Sequence, residues 1–448
     1  MRRTLLVVAG CIALSAIAQP VSATAGAQEW VARSRGAHAW VDQLGGMAVS
    51  PDGARVFVTG TLARFTGDTI LTVAYDASGA ELWRSHYNGP GSSNDEAAGI
   101  AVSPDGSMVF VAGSSATDAS KLDYITQAYD SATGTRIWKK RYSSTLGLSF
   151  DEASALGVSP DGSAVFITGA ADGGPKSSDY VTVAYEADSG TQLWAARYAG
   201  PYRDDARTLR VSPDGSAVFV SGFSTSSSGL DILTVAYRAG TGAELWKARY
   251  DGPTSRDDQA NAMGVSPDGS SVYVTGFSDG SNRKRDYVTI AYRASTGVQR
   301  WVRRYNGPAD WNDNAKAMAI SPDGSGIFVT GYRTGHRGRD FETIAYSPAG
   351  GRLWLRAYDG PADLDDQAAG IGVSLDGNQV FVTGVQRASF SDPQYSTLAY
   401  GAGTGRRSWG SVLDGGTPSA LAVNPTGSDV YVSGVSLPDF ATVAYATS

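Results

Sequence analysis

Cysteine and histidine are nearly absent from this chain: its 448 residues hold one cysteine, Cys11, and three histidines, His38, His86 and His336. Cys11 lies in the apolar N-terminal stretch, so the rest of the chain has no thiol nucleophile, thiolate metal ligand or disulfide. The histidines are far apart, with no H-x-x-x-H or H-E-x-x-H spacing, which removes the usual histidine-built zinc site. Basic excess is lacking too. Lysine and arginine number 37 against 44 aspartates and glutamates, a net charge of −7 that argues against nucleic acid or an anionic membrane as the general partner. Beyond the N-terminus no uncharged apolar run is long enough to cross a bilayer, so no membrane span is expected.

The first 27 residues have a different composition from the rest. Arg2 and Arg3 precede a mostly apolar, uncharged stretch from Leu5 to Ala18. Ala23-Thr24-Ala25 and Ala25-Gly26-Ala27 then offer small-residue cleavage sites. The pattern predicts a secretory signal over 1–27 and an extracytoplasmic mature chain from 28 onward. Val8-Ala9-Gly10-Cys11 as a lipoprotein box and Arg2-Arg3 as a twin-arginine signal are the rival readings.

What the chain has in abundance is glycine and a repeat. The turn Ser-Pro-Asp-Gly starts at Ser50, Ser103, Ser159, Ser212, Ser266 and Ser321, with degenerate copies at Ser374 and Asn424, spaced by 50 to 56 residues. Proline presets φ and glycine accepts a positive φ, so each copy links two strands. An apolar strand follows each turn, as in Val109-Phe110-Val111-Ala112; a third lies beyond a variable loop, as in Tyr180–Tyr185. A fourth carries a tryptophan at 83, 138, 194, 246, 301, 354 or 409. Four short strands per unit in eight units predict an all-β, eight-bladed β-propeller in one domain, with four antiparallel strands per blade. The C-terminus stops after a third strand, Phe440–Tyr445, while Glu29–Arg33 around Trp30 looks like a fourth strand with nothing before it. The N-terminal strand is therefore expected to complete the last blade and close the ring, removing the open edge.

Ala128–Trp138 matches the A-x-D-x-x-T-G-x-x-x-W tryptophan-docking motif, so the chain resembles the PQQ-like propeller repeats of quinoproteins. Ala236–Trp246 and Ala291–Trp301 keep the Thr-Gly and the tryptophan without the aspartate. The Val-Ser-Pro-Asp-Gly halves are similar to the YVTN and SBBP extracellular propeller repeats. These motifs are structural. The resemblance implies PQQ with calcium as the alternative cofactor, no cofactor being the first expectation, and the vicinal disulfide often found over PQQ cannot form here.

In such a ring the Ser-Pro-Asp-Gly and Thr-Gly turns share one face, and the interblade loops with the second-to-third-strand loops share the other. By analogy the second face is where ligands bind. Acids recur there: Asp95, Asp151, Asp204, Asp257, Asp313 and Asp365 in the interblade loops, and Asp123, Asp179, Asp231, Asp286 and Asp340 opening third strands. They are candidate calcium ligands, but acids repeated in every blade more naturally cap loop N–H groups or pair with Arg197, Arg249 and Arg304. Departures from the repeat point more sharply to function. Arg283, Lys284 and Arg285, then Arg333, His336, Arg337 and Arg339, make a basic sector on an acidic chain, with Trp311 as a stacking aromatic nearby. Phe150 and Tyr202 are further loop aromatics. His336 is the candidate acid or base.

Three functions follow as expectations. One is a non-catalytic scaffold, monomeric, binding a glycan, a peptide or an envelope protein. The second is a PQQ-dependent oxidoreductase. The third is a propeller lyase or hydrolase working on an anionic substrate around His336, Arg337 and Arg339.

Overall fold

The structure, a computed structural model, describes residues 24–34, 43–63, 67–90, 94–118, 121–144, 150–174, 177–281, 284–436 and 439–447. Arg283 and most of the expected signal segment lie outside the described residues.

Strand b of each blade, exemplified by Val109-Phe110-Val111, is apolar on both faces because it is sandwiched between neighbouring blades, and its residues are fully buried. The chain forms eight four-stranded antiparallel sheets, each running a-b-c-d outward from the axis. Blades 1 to 7 span 43–87, 95–142, 152–198, 204–250, 258–305, 314–358 and 367–414. Blade 8 takes strands a to c from 417–446 and strand d from Gln28–Ser34, which pairs antiparallel with Asp439–Ala446. This is the expected eight-bladed propeller, with the expected closure.

Blades lock together through the outer tryptophan. The Trp83 Nε1–H donates to the Ser131 carbonyl of the next blade at 2.9 Å, and the Trp138 and Trp194 indoles reach Ala187 and Ala239 at 2.6 and 2.7 Å. Gly134, at φ +69°, lies over the Trp83 ring so closely that a Cβ would fall 2.5 Å from it. Gly26 has the same relation to Trp409. The Gly26 N–H also donates to the Ala446 carbonyl at 2.8 Å, and the Ala446 N–H to that of Ala27 at 3.0 Å. Thr24–Ala27, ahead of position 28, thus belong to the eighth docking turn.

The inner turns make a second ring. The Ser103 hydroxyl bonds the Asp105 carboxylate at 2.5 Å, and Gly106 sits against Pro51 of the preceding blade. The Ser131 N–H donates to the Ser107 carbonyl at 2.9 Å, so both turn types share one face. The loops of the opposite face are left to carry variable side chains.

Candidate functional site

Strand a lines the channel, and equivalent positions of the eight copies form stacked rings. At the outermost level stand Gln43, Glu96, Glu152, Asp205, Gln259, Asn314, Gln367 and Thr417, all polar. The next level in holds Arg207, Asn261 and Lys316, where other blades have glycine, alanine or serine. Three residues further along strand a comes Arg210, where the other seven blades have only alanine or glycine, such as Ala101, Gly157 and Ala319.

Charge around this mouth is lopsided. Glu96 and Glu152 lie on blades 2 and 3; burial, with Asp205 and Glu96 nearby, raises the Glu152 carboxyl above its ordinary range. Asp205 is answered by Arg203 at 3.2 Å and Arg207 at 3.4 Å. On blades 4 to 6 cations stack on a shelf of aromatic rings from strand b: Arg203 and Arg207 over Phe223, Arg285 over Phe277, Arg339 over Tyr332 at 5.4, 5.3, 4.1 and 4.6 Å, with Lys316 also over Tyr332 at 5.8 Å. Burial lowers the Lys316 ammonium below the usual lysine value, and so do the charges of Arg285, Arg339 and Arg207. A depression of 340 Å³ opens here, lined by Glu152, Ser154, Asp205, Arg207 and Asn261. Another depression, of 470 Å³, is on the turn face around Leu375 and Gln379 and gathers no comparable charge.

The predicted basic sector divides. Arg285 and Arg339 turn to the channel mouth as described, joined by Lys316, Arg207 and Arg210, which sequence reading did not single out. The signal was available: each breaks its column of the repeat. Lys284 stacks instead on half-exposed Trp311, 5.5 Å from the ring. Arg333, His336 and Arg337 line an outer groove of 310 Å³ with Asp340, Asp359 and Asp363. There Arg337 pairs with Asp363, and Arg333 with Asp340 at 3.1 Å and Glu342 at 3.5 Å. His336 is exposed at the hairpin tip, where the Gly335 N–H donates to the Gly338 carbonyl at 2.7 Å. The groove is therefore a balanced surface rather than a positive one. Phe150 and Tyr202 are exposed.

The recurrent acids cap and pair. Asp95, Asp151, Asp204 and Asp258 accept backbone N–H groups of Gly89, Ser144, Gly200 and Gly252 at 2.5 to 2.6 Å, and Asp313 accepts that of Gly307. Asp257 and Asp365 stand one position earlier in the repeat, accepting the N–H groups of Leu230 and Arg339 at 3.1 and 3.0 Å. The adjacent acids of the sequence are thus not equivalent from blade to blade. Asp179, Asp231 and Asp286 pair with Arg197, Arg249 and Arg304 at 2.7, 2.5 and 2.8 Å. Asp231, Asp251 and Asp258 bring carboxylate oxygens within 4.8 Å of one another, a grouping that sequence spacing does not reveal. Two of the three are already engaged by Arg249 and Gly252.

Two chemistries find no footing in these residues. Gly276-Phe277-Ser278-Asp279-Gly280 has the G-x-S-x-G spacing, which sequence reading missed. Ser278, however, lies inside a strand rather than at a strand-to-helix turn, with its hydroxyl held by Arg304. A flat quinone needs an open aromatic face at the mouth, but Phe223, Phe277 and Tyr332 are buried and carry guanidinium groups over their rings. These three rings are therefore not free to stack a flat quinone.

The propeller has many structural counterparts. The chain superposes on Sqt1 of Chaetomium thermophilum, solved bound to the N-terminus of the ribosomal protein L10, with a TM-score of 0.63 and 11% identity over 94% of this chain and 100% of that one. The Dos1 propeller gives 0.57 at 9% identity, covering 91% and 95% of the two chains. At such identities the likeness is one of fold. A search of curated proteins found no match to the chain. The family profile described as outer membrane protein assembly factor BamB matches residues 15–308 and 177–416, and the chain belongs to that family.

Proposed function

We propose that this protein is an exported, monomeric, non-catalytic propeller that binds an acidic peptide segment of a partner protein at the channel mouth on its loop face. The observation that carries this reading is the cation–aromatic shelf of Phe223, Phe277 and Tyr332 with Arg207, Arg285, Lys316 and Arg339, spread over three consecutive blades. A guanidinium stacked on a ring can still present its N–H edge to a carboxylate. Arg207 shares Asp205 and Arg285 lies 3.9 Å from Asp279, while Arg339 and Lys316 form no ion pair among the described residues. Glu96 and Glu152, on the two blades beside the shelf, repel the same ligand and so orient it. The Sqt1 propeller, bound to a protein N-terminus, supports a peptide rather than a small metabolite as occupant. Export rests on the basic and apolar leader at 2–18.

Titration calorimetry with an aspartate-rich peptide, a uronic-acid oligosaccharide and a neutral oligosaccharide tests the proposal. The acidic peptide binds, and the double variant Arg285→Ala/Arg339→Ala weakens it by about tenfold or more, since each charged hydrogen bond is worth roughly 1.5–3 kcal/mol. Equal affinity in the double variant, or binding of the oligosaccharide alone, overturns it.

A further inference from the structure

Arg210 is the residue the fold explains least. It occupies a column of the repeat filled elsewhere only by alanine or glycine, on the strand nearest the axis. Strand a side chains that carry apolar groups, such as Leu209 and Val211, pack between blades 3 and 4. Arg210 instead reaches solvent, and on an innermost strand that solvent is the channel. Its guanidinium donates to the carbonyl of its own neighbour Leu209 at 2.8 Å. Among the described residues it forms no ion pair, nor do Lys316 and Arg339 nearer the loop face. Four arginines of one strand d column, Arg141, Arg197, Arg249 and Arg304, by contrast each pair with an aspartate. Enclosure lowers the Arg210 guanidinium below its usual value, with no charge offsetting it.

A cation in a channel with neither a packing nor a pairing role is placed for a ligand that comes and goes. We infer that Arg210 is the deep anchor of the binding site, taking the terminal carboxylate of a peptide that enters the channel end-on from the loop face. This rests on the proposed mouth binding and assigns the part of the ligand that penetrates. Arg207 and Arg210 are three residues apart on an extended strand, about 10 Å along the channel. An extended peptide has the same rise, so a C-terminal carboxylate on Arg210 puts a side chain three residues back at the level of Arg207 and Lys316. The preferred ligand therefore ends in a free carboxylate with an acidic residue at the fourth position from the end. The small residues around Arg210 leave the lumen open for that end.

The test uses the full mature protein and two synthetic hexapeptides of sequence Gly-Gly-Asp-Ser-Gly-Ser, one with a free C-terminal acid and one with a C-terminal amide, in titration calorimetry. The free acid binds the wild type about tenfold more tightly than the amide. Arg210→Ala abolishes that difference between acid and amide, and Arg210→Lys restores part of it. Alanine is the residue of four sibling blades at this position, so the variant keeps the fold. Equal binding of acid and amide to the wild type overturns the channel anchor, as does a free-acid preference that survives Arg210→Ala. If Arg285→Ala/Arg339→Ala weakens both peptides in those cases, the mouth reading stands without the anchor. If that double variant changes nothing, the mouth reading falls as well.

Discussion

Glu342 shows what one residue out of pattern costs. Its column on strand c holds Val181, Leu233 and Val288 in blades 3 to 5, all inside the wall. The carboxylate is fully buried, accepts from the Tyr305 hydroxyl at 3.1 Å and faces Arg333 at 3.5 Å. Desolvation outweighs these contacts and raises its pKa to about 7 from 4.5. A group protonated more readily in the folded state favours folding at low pH, and that contribution is lost as pH climbs from about 4.5 through 7. Glu342→Gln removes the titration. Relative to wild type, the variant should gain thermal stability between pH 5 and pH 8, by up to about 3 kcal/mol. Melting curves at the two pH values check this. A constant difference would mean that Arg333 holds Glu342 ionised throughout. The sequence shows an acid in an apolar strand here, but its partners come from strands b of its own blade and d of the blade before. Only the folded ring brings those together.

At the scale of the element, the docking turn is the unit on which the ring depends. Gly242, at φ +69°, lies against the Trp194 ring, and a Cβ would come within 2.6 Å of it. Gly242→Ala therefore combines an unfavourable left-handed conformation with a clash against a packed indole, and should cost more than about 1 kcal/mol. Gly240 in the same turn is at a position where a Cβ meets nothing within 4 Å. Gly240→Ala serves as the control and should change little. Comparing chemical-denaturation midpoints of the two variants measures the difference. These turns were readable in the sequence because glycine, threonine and tryptophan recur at fixed offsets. The interblade acids were less readable. Asp257-Asp258 and Asp95-Glu96 look alike as pairs, yet Asp258 matches Asp95 in capping the loop, and hydrogen bonding rather than adjacency sets that register.

For the whole molecule, closure is the decisive interaction. Strand Gln28–Ser34 supplies the edge that Asp439–Ala446 would otherwise expose, and Gly26 docks the Trp409 indole ahead of it. A chain beginning at 24 should melt higher than one beginning at 28, because only the first keeps the eighth docking turn. A chain beginning at 35 should lose the ring closure and self-associate through the open strand. Thermal melts with size-exclusion chromatography distinguish the three. Equal midpoints for starts at 24 and 28 would show that the eighth turn adds nothing to the closure.

The blade count, the strand order within each blade, the tryptophan docking and the N-terminal closure were all determined by the sequence alone. Each is a local pattern repeated at a fixed interval, and a repeat can be stacked in few ways. The site was decided only by tertiary structure. Arg285 and Arg339 share a flank with Lys284 and Arg337 in the sequence, yet the first two turn to the channel and the second two to Trp311 and Asp363. Arg207, Arg210 and Lys316 are widely separated along the chain and meet because the ring brings equivalent positions of different blades to one axis. Periodicity encodes the frame, and the side chains that depart from it acquire a common site only when the circle is closed.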